Sequence, residues 1–112
     1  MGREKQFENQ IKKYLQSVGV YPLGTPRYKM IITPVGYYEK RHGSMFTKSG
    51  LPDMHICIRG KSIEAEIKAE NGEPSDLQLF MIEQMNDAGG CAVVVYPRHF
   101  EWFKDLVESY LK

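Results

Sequence analysis

The sequence predicts an α/β fold, a mixed β-sheet flanked by helices in the order α-β-β-β-α-β-α. Three observations carry that reading. Two stretches, near the two ends, place apolar residues at helical spacing. A pair of strand patterns flanks the glycine at position 60. An unbroken apolar run, Cys91-Ala92-Val93-Val94-Val95-Tyr96, follows a helix with clear start and stop signals.

In chain order, residues 3–18 read as the first helix, with Phe7, Ile11, Tyr14, Leu15 and Val18 on one apolar stripe. Gly19 is a natural stop. Residues 21–26, with two prolines and a glycine, read as loop, and 27–35 as a strand with Pro34 near its end. Residues 36–49 read as a strand fragment followed by a mobile loop that holds His42, Phe46 and several basic side chains. Residues 53–58 and 61–69 form a hairpin around Gly60. Ser75 and Gln78 make a capping box for a helix that runs to about Ala88, where Gly89-Gly90 ends it. The strand at 91–96 is expected to be covered on both faces. Pro97 breaks it, and 98–111 form the last helix, with Phe100, Phe103, Leu106, Val107 and Tyr110 on its apolar side.

A length of 112 residues suits one domain, residues 1–112, and 42% hydrophobic residues suffice for a core. No apolar run reaches the ~20 residues of a membrane helix. Residues 1–13 are too polar for a signal peptide. Cys57 and Cys91 have no zinc-site spacing and read as reduced residues in buried strands. A cytoplasmic protein is the expectation. The net charge of +1 conceals an asymmetry: residues 1–50 hold nine Lys/Arg against three Asp/Glu, and residues 51–112 hold six against eleven. A basic half beside an acidic pocket suits a polyanionic partner, although a solvated surface gives the same count.

The chemistry concentrates in Gly50-Leu51-Pro52-Asp53 and Glu66-Ile67-Lys68. Residues i and i+2 of a strand share a face, so Glu66 and Lys68 stand side by side, and hairpin pairing brings Asp53 toward them. Two carboxylates supply hard oxygen donors for Mg2+ or Mn2+. Such an ion lowers the pKa of a bound water and offsets charge on a phosphate under attack, and an ammonium group adds to that offset. Each residue also has a plainer reading. Asp53 suits a turn after Pro52, Glu66 a solvated strand face shared with Glu64 and Glu70, and Lys68 an ion pair with Glu66. His55 lies two residues after Asp53 and reads as a surface or packing residue. Lys40, Arg41, Lys48, Lys12 and Lys13 are candidate DNA-phosphate contacts.

This arrangement resembles the PD-(D/E)xK nuclease superfamily, and within it the virus-type replication-repair nuclease (VRR-NUC) domain. Glu8, Gly50-Leu51-Pro52-Asp53, Glu66-Ile67-Lys68 and Gln78 carry the resemblance, which extends over nearly the whole chain. It implies a restriction-endonuclease-like core. Glu8, Asp53 and Glu66 would be metal ligands together with the backbone carbonyl of Ile67, and Lys68 and Gln78 would act beside the scissile phosphate. A capping box accounts for Gln78 equally well, and both roles hold only if its side chain is not committed to Ser75. The small domains of this family come largely from phages and bacteria and act as homodimers on branched DNA in repair. The resemblance therefore implies a Holliday-junction resolvase-like homodimer that leaves 5′-phosphate and 3′-hydroxyl ends. A monomeric flap or general DNA nickase, a restriction-like enzyme and a non-catalytic DNA-binding module remain the alternatives.

Overall fold

The computed structural model describes residues 2–41 and 48–112. The chain forms a five-stranded mixed sheet with three helices. Helix α1 (Arg3–Ser17) leads into strand β1 (Val20–Pro22), and β2 (Gly36–Lys40), β3 (Met54–Ile58) and β4 (Lys61–Ile67) follow. Helix α2 (Asp76–Asp87), strand β5 (Ala92–Val95) and helix α3 (Phe100–Leu111) complete the order. The strands lie in sequence order across the sheet; β1 runs parallel to β2, β2 and β4 run antiparallel to β3, and β5 runs parallel to β4.

The main core lies on one face. Phe7, Ile11 and Leu15 of α1 and Phe103 and Val107 of α3 pack against Met54, Ile56, Ile58, Ile63, Ala65 and Ile67. Alternation along β4 then turns Glu64 and Glu66 to the other face. Helix α2 lies on that side and is thinly anchored, with Ile82 its one buried residue.

Two elements differ from expectation. Residues 27–35 are not a strand. Arg27–Lys29 form a 3₁₀ turn, in which Lys29 N–H donates to Pro26 O (3.0 Å) and Met30 N–H to Arg27 O (3.1 Å). The apolar residues there do not alternate between two faces, and Tyr28 and Ile31 point into solvent, at 84% and 96% exposure. Strand β1 instead overlaps the start of the stretch read as loop. At three residues it is too short to show a period, and it exists because β2 lies alongside it. The sheet has five strands against the four of the expected order, because β1 replaces the strand expected at 27–35 and the fragment after position 36 forms a full strand, β2.

Smaller differences sit at the edges. Strand β5 is an edge strand, with Ala92 and Val95 buried and Val93 and Val94 half-buried. Cys57 and Cys91 are free thiols, half-buried rather than buried. The strand fragment after position 36 is present as β2, and the loop residues 42–47 read beside it lie outside the described residues. The β3–β4 hairpin turns around Gly60 as expected, with Ile58 paired to Lys61. Arg59 (φ 50°) and Gly60 (φ 83°) are both left-handed, the pairing a two-residue hairpin turn requires. Gly19 stops α1 as expected; its φ is 90°, and a Cβ there would lie 2.7 Å from Thr33 O. No helix of the described residues is long and apolar enough to cross a membrane.

Candidate active site

Hairpin register builds the centre of the site. Met54 pairs with Ala65, so Asp53, one step earlier, faces Glu66. Asp53 is half-buried, and its Oδ2 accepts the backbone N–H of Ile67 at 3.0 Å. That bond fixes the carboxylate against the strand that carries the other two motif residues. Pro52 is buried behind it.

Glu66 is only 1% exposed, which excludes the solvated-face reading. Its Oε2 accepts from Gln78 Nε2 at 3.0 Å and lies 3.2 Å from Lys68 Nζ. Its Oε1 is buried and has no partner among the described residues. Burial pushes the Glu66 carboxyl above the ordinary carboxylate range, and the neighbouring Asp53 charge adds to the rise. The Lys68 ammonium opposes both, and the net displacement is upward.

Gln78 resolves the conflict between cap and site by using both ends of its amide. Gln78 N–H donates to Ser75 Oγ (3.1 Å), and Ser75 N–H donates to Gln78 Oε1 (2.8 Å), which completes the capping box. The Nε2 end remains for Glu66. The expectation that commitment to Ser75 would exclude a role at the site is therefore corrected.

Glu8 is buried (4% exposed) at the other side of the site, among three ammonium groups. Lys40 and Lys5 lie 2.8 Å from its carboxylate and Lys12 3.0 Å. Burial pushes the Glu8 carboxyl up, but hydrogen bonds from Lys40, Lys5 and Lys12 outweigh it and hold the group at about 2, against an ordinary 4.5. Lys40 also lies 3.8 Å from Asp53 Oδ1, so one ammonium bridges Glu8 and Asp53.

Two carboxylates and an orphaned buried oxygen fit a hard divalent cation. Asp53 and Glu66 would hold it. Among the described residues no group of three or more His, Cys, Asp or Glu side chains is gathered for an ion. Among the described residues, Lys40 links Glu8 to Asp53. Ile67 contributes its N–H to Asp53, a contact separate from the carbonyl role implied by resemblance.

Three of the candidate DNA contacts are otherwise engaged. Lys12 and Lys40 pair with Glu8. Arg41 clamps Glu64 through both terminal nitrogens and donates to Pro52 O at 2.9 Å. Its backbone N–H donates to Asp53 O at 2.7 Å. Lys13 and Lys48 are exposed. His55 Nδ1 lies 2.6 Å from Glu64 Oε1, so Glu64 is held by Arg41 and His55 rather than facing a metal. The Lys40 bridge and the Arg41 clamp escaped the sequence reading, because both depend on how β2 pairs with β3. The one signal present was the adjacent Lys-Arg pair closing a strand.

The chain matches no model of a known protein family, no characterised protein and no solved structure.

Proposed function

We propose that the protein is a Mg2+- or Mn2+-dependent DNA endonuclease of the VRR-NUC type, acting as a homodimer on branched DNA. The observation that carries the reading is Glu66: a carboxylate 1% exposed, with one oxygen orphaned among the described residues, facing Asp53 and touching Lys68 and Gln78. A fold keeps so costly a group where it serves chemistry. A divalent cation there supplies Lewis acidity toward water and phosphate. Asp53, braced by the Ile67 N–H, and Glu66, braced by the Gln78 amide, are its holders. Lys68 places positive charge where the phosphate gains negative charge as water adds to phosphorus and the bridging oxygen leaves. By resemblance the cut bond leaves a 5′-phosphate and a 3′-hydroxyl. Exposed Leu77, Leu79 and Phe80 on α2 offer a second copy an apolar face to bury.

A second reading, a DNA-binding module without chemistry, is favoured by the three ammonium groups that saturate Glu8. Cleavage of a labelled four-way junction and its matched linear duplex, in Mg2+, Mn2+ and EDTA, separates the two. Metal-dependent cutting of the junction, reduced at least about 10³-fold in Lys68→Ala with binding retained, is the expected result. Equal cutting of both substrates removes the preference for branches. Binding without cutting by the wild type establishes the module instead.

A further inference from the structure

We propose that residues 23–33, together with Lys13 of α1, form a lobe that reads the branch of the DNA substrate; the inference rests on the nuclease reading above. The lobe leaves the sheet beside the site. Leu23 N–H donates to Tyr38 O at 2.9 Å, and Leu23 lines a cavity of about 280 Å³ with Lys12 and Lys40, two of the three lysines that reach Glu8. The chain then turns through Arg27–Lys29 and returns to the far end of β1, where Val35 N–H meets Gly19 O at 2.9 Å. Tyr21 pins the return, its hydroxyl accepting the Ile32 N–H at 3.1 Å. A second cavity, of about 290 Å³, opens between lobe and helix, lined by Lys13, Gln16, Lys29, Ile31 and Ile32.

Charge selects the occupant. From Asn9 to Tyr38 the sequence contains no acidic residue, while Lys12, Lys13, Arg27 and Lys29 are basic. Lys12 is spent on Glu8, and the exposed Lys13, Arg27 and Lys29 give the lobe its charge. Glu39, at the border with β2, lines the Leu23 cavity, but residues 23–33 and Lys13 carry no carboxylate side chain. A protein partner with mixed surface charge would find no anion on the lobe itself to pair with its own cations, whereas a polyanion meets cations there.

The apolar groups select the kind of DNA. Tyr28 is 84% exposed, Ile31 96% and Leu23 59%, an unusual cost for a surface that only grips phosphate. An exposed ring stacks on an unpaired base, and an aliphatic side chain wedges between base steps already open. Intact duplex offers neither without an unstacking cost, whereas a branch point does. Position agrees. Leu23 shares one cavity with Lys12 and Lys40, and Ile31 shares the other with Lys13 and Gln16 of α1. From Glu8 to Lys13 and Gln16 the helix climbs roughly 7–12 Å, the span of roughly two to four base-pair steps. In the proposal, Tyr28 and Ile31 meet the branch while the site meets a phosphodiester nearby.

The test is equilibrium binding in EDTA, read by fluorescence anisotropy on a labelled four-way junction and its matched linear duplex across a range of salt. Two variants change only exposed residues: Lys13→Gln with Arg27→Gln and Lys29→Gln, and Tyr28→Ala with Ile31→Ser. The charge variant is expected to weaken both substrates at least about tenfold and to flatten the salt dependence by about two to three units of slope. The apolar variant is expected to lose at least about fivefold in junction affinity while duplex affinity holds. Wild-type affinity of both variants, beside a wild type that cuts DNA, overturns the lobe and leaves the nuclease standing. A fall in native mass in the apolar variant, measured by light scattering, overturns it in favour of an interface between copies. A wild type that neither binds nor cuts either substrate overturns both readings.

Discussion

The two buried glutamates of the site carry opposite pH signatures. Glu66 is held above its ordinary range, so in EDTA the unfolded chain ionises it first. Its penalty is absent below about pH 4.5, grows as pH rises and is complete above its folded value. Glu66→Gln removes that penalty. The variant should therefore melt higher than wild type at pH 7 in EDTA, with the advantage vanishing near pH 4. Glu8 is held down at about 2, so its contribution is full above its ordinary 4.5 and is lost as pH falls toward 2. Glu8→Gln should cost about 1–3 kcal/mol at pH 7 and little at pH 2. Melting curves of both variants from pH 2 to 8 check the pair, and two parallel displacements from wild type would contradict these assignments. The acid and Glu-x-Lys motif was legible because strand alternation sets Glu66 beside Lys68 and a short hairpin turn brings Asp53 across to them. The three lysines around Glu8 were not, since Lys40 reaches it across 32 positions of chain that only a folded sheet brings together.

At the scale of elements, start and stop signals were read well where they are local. Ser75 and Gln78 cap α2 and Gly19 closes α1, because each signal sits within a few residues of what it controls. Strand β1 was missed and a strand at 27–35 wrongly expected, because β-branched residues favour a strand only where a neighbour exists to pair with. The cap on α2 has a consequence for chemistry. Ser75→Ala removes the acceptor of the Gln78 N–H and should cost about 1 kcal/mol, seen in chemical denaturation. Because Gln78 also holds Glu66, the same variant should lose cleavage rate by roughly two- to tenfold at saturating substrate, with affinity for DNA retained. An unchanged rate in a destabilised variant would make the cap purely structural.

For the whole molecule, the charge asymmetry visible in the sequence is spent in part inside it. Lys12 and Lys40 answer Glu8, which belongs to the same basic half, while Arg41 crosses to Glu64. The basic half is therefore less available to a polyanion than a count of residues suggests, and what remains exposed, apart from Lys5 at Glu8, is Arg3, Lys13, Arg27, Lys29 and Lys48. The anchoring of the helices is just as uneven. Helices α1 and α3 contribute Phe7, Ile11, Leu15, Phe103 and Val107 to the core, and α2 buries Ile82. Amide hydrogens of α2 in the isolated chain should accordingly trade for deuterium well before those of α1, β3 and β4, through a local opening that leaves the rest folded. Equal protection of all three helices would exclude it. Gln78 rides on that helix, so each such opening would strip Glu66 of its amide donor, and the readiness of the site would follow the breathing of a single, lightly moored element.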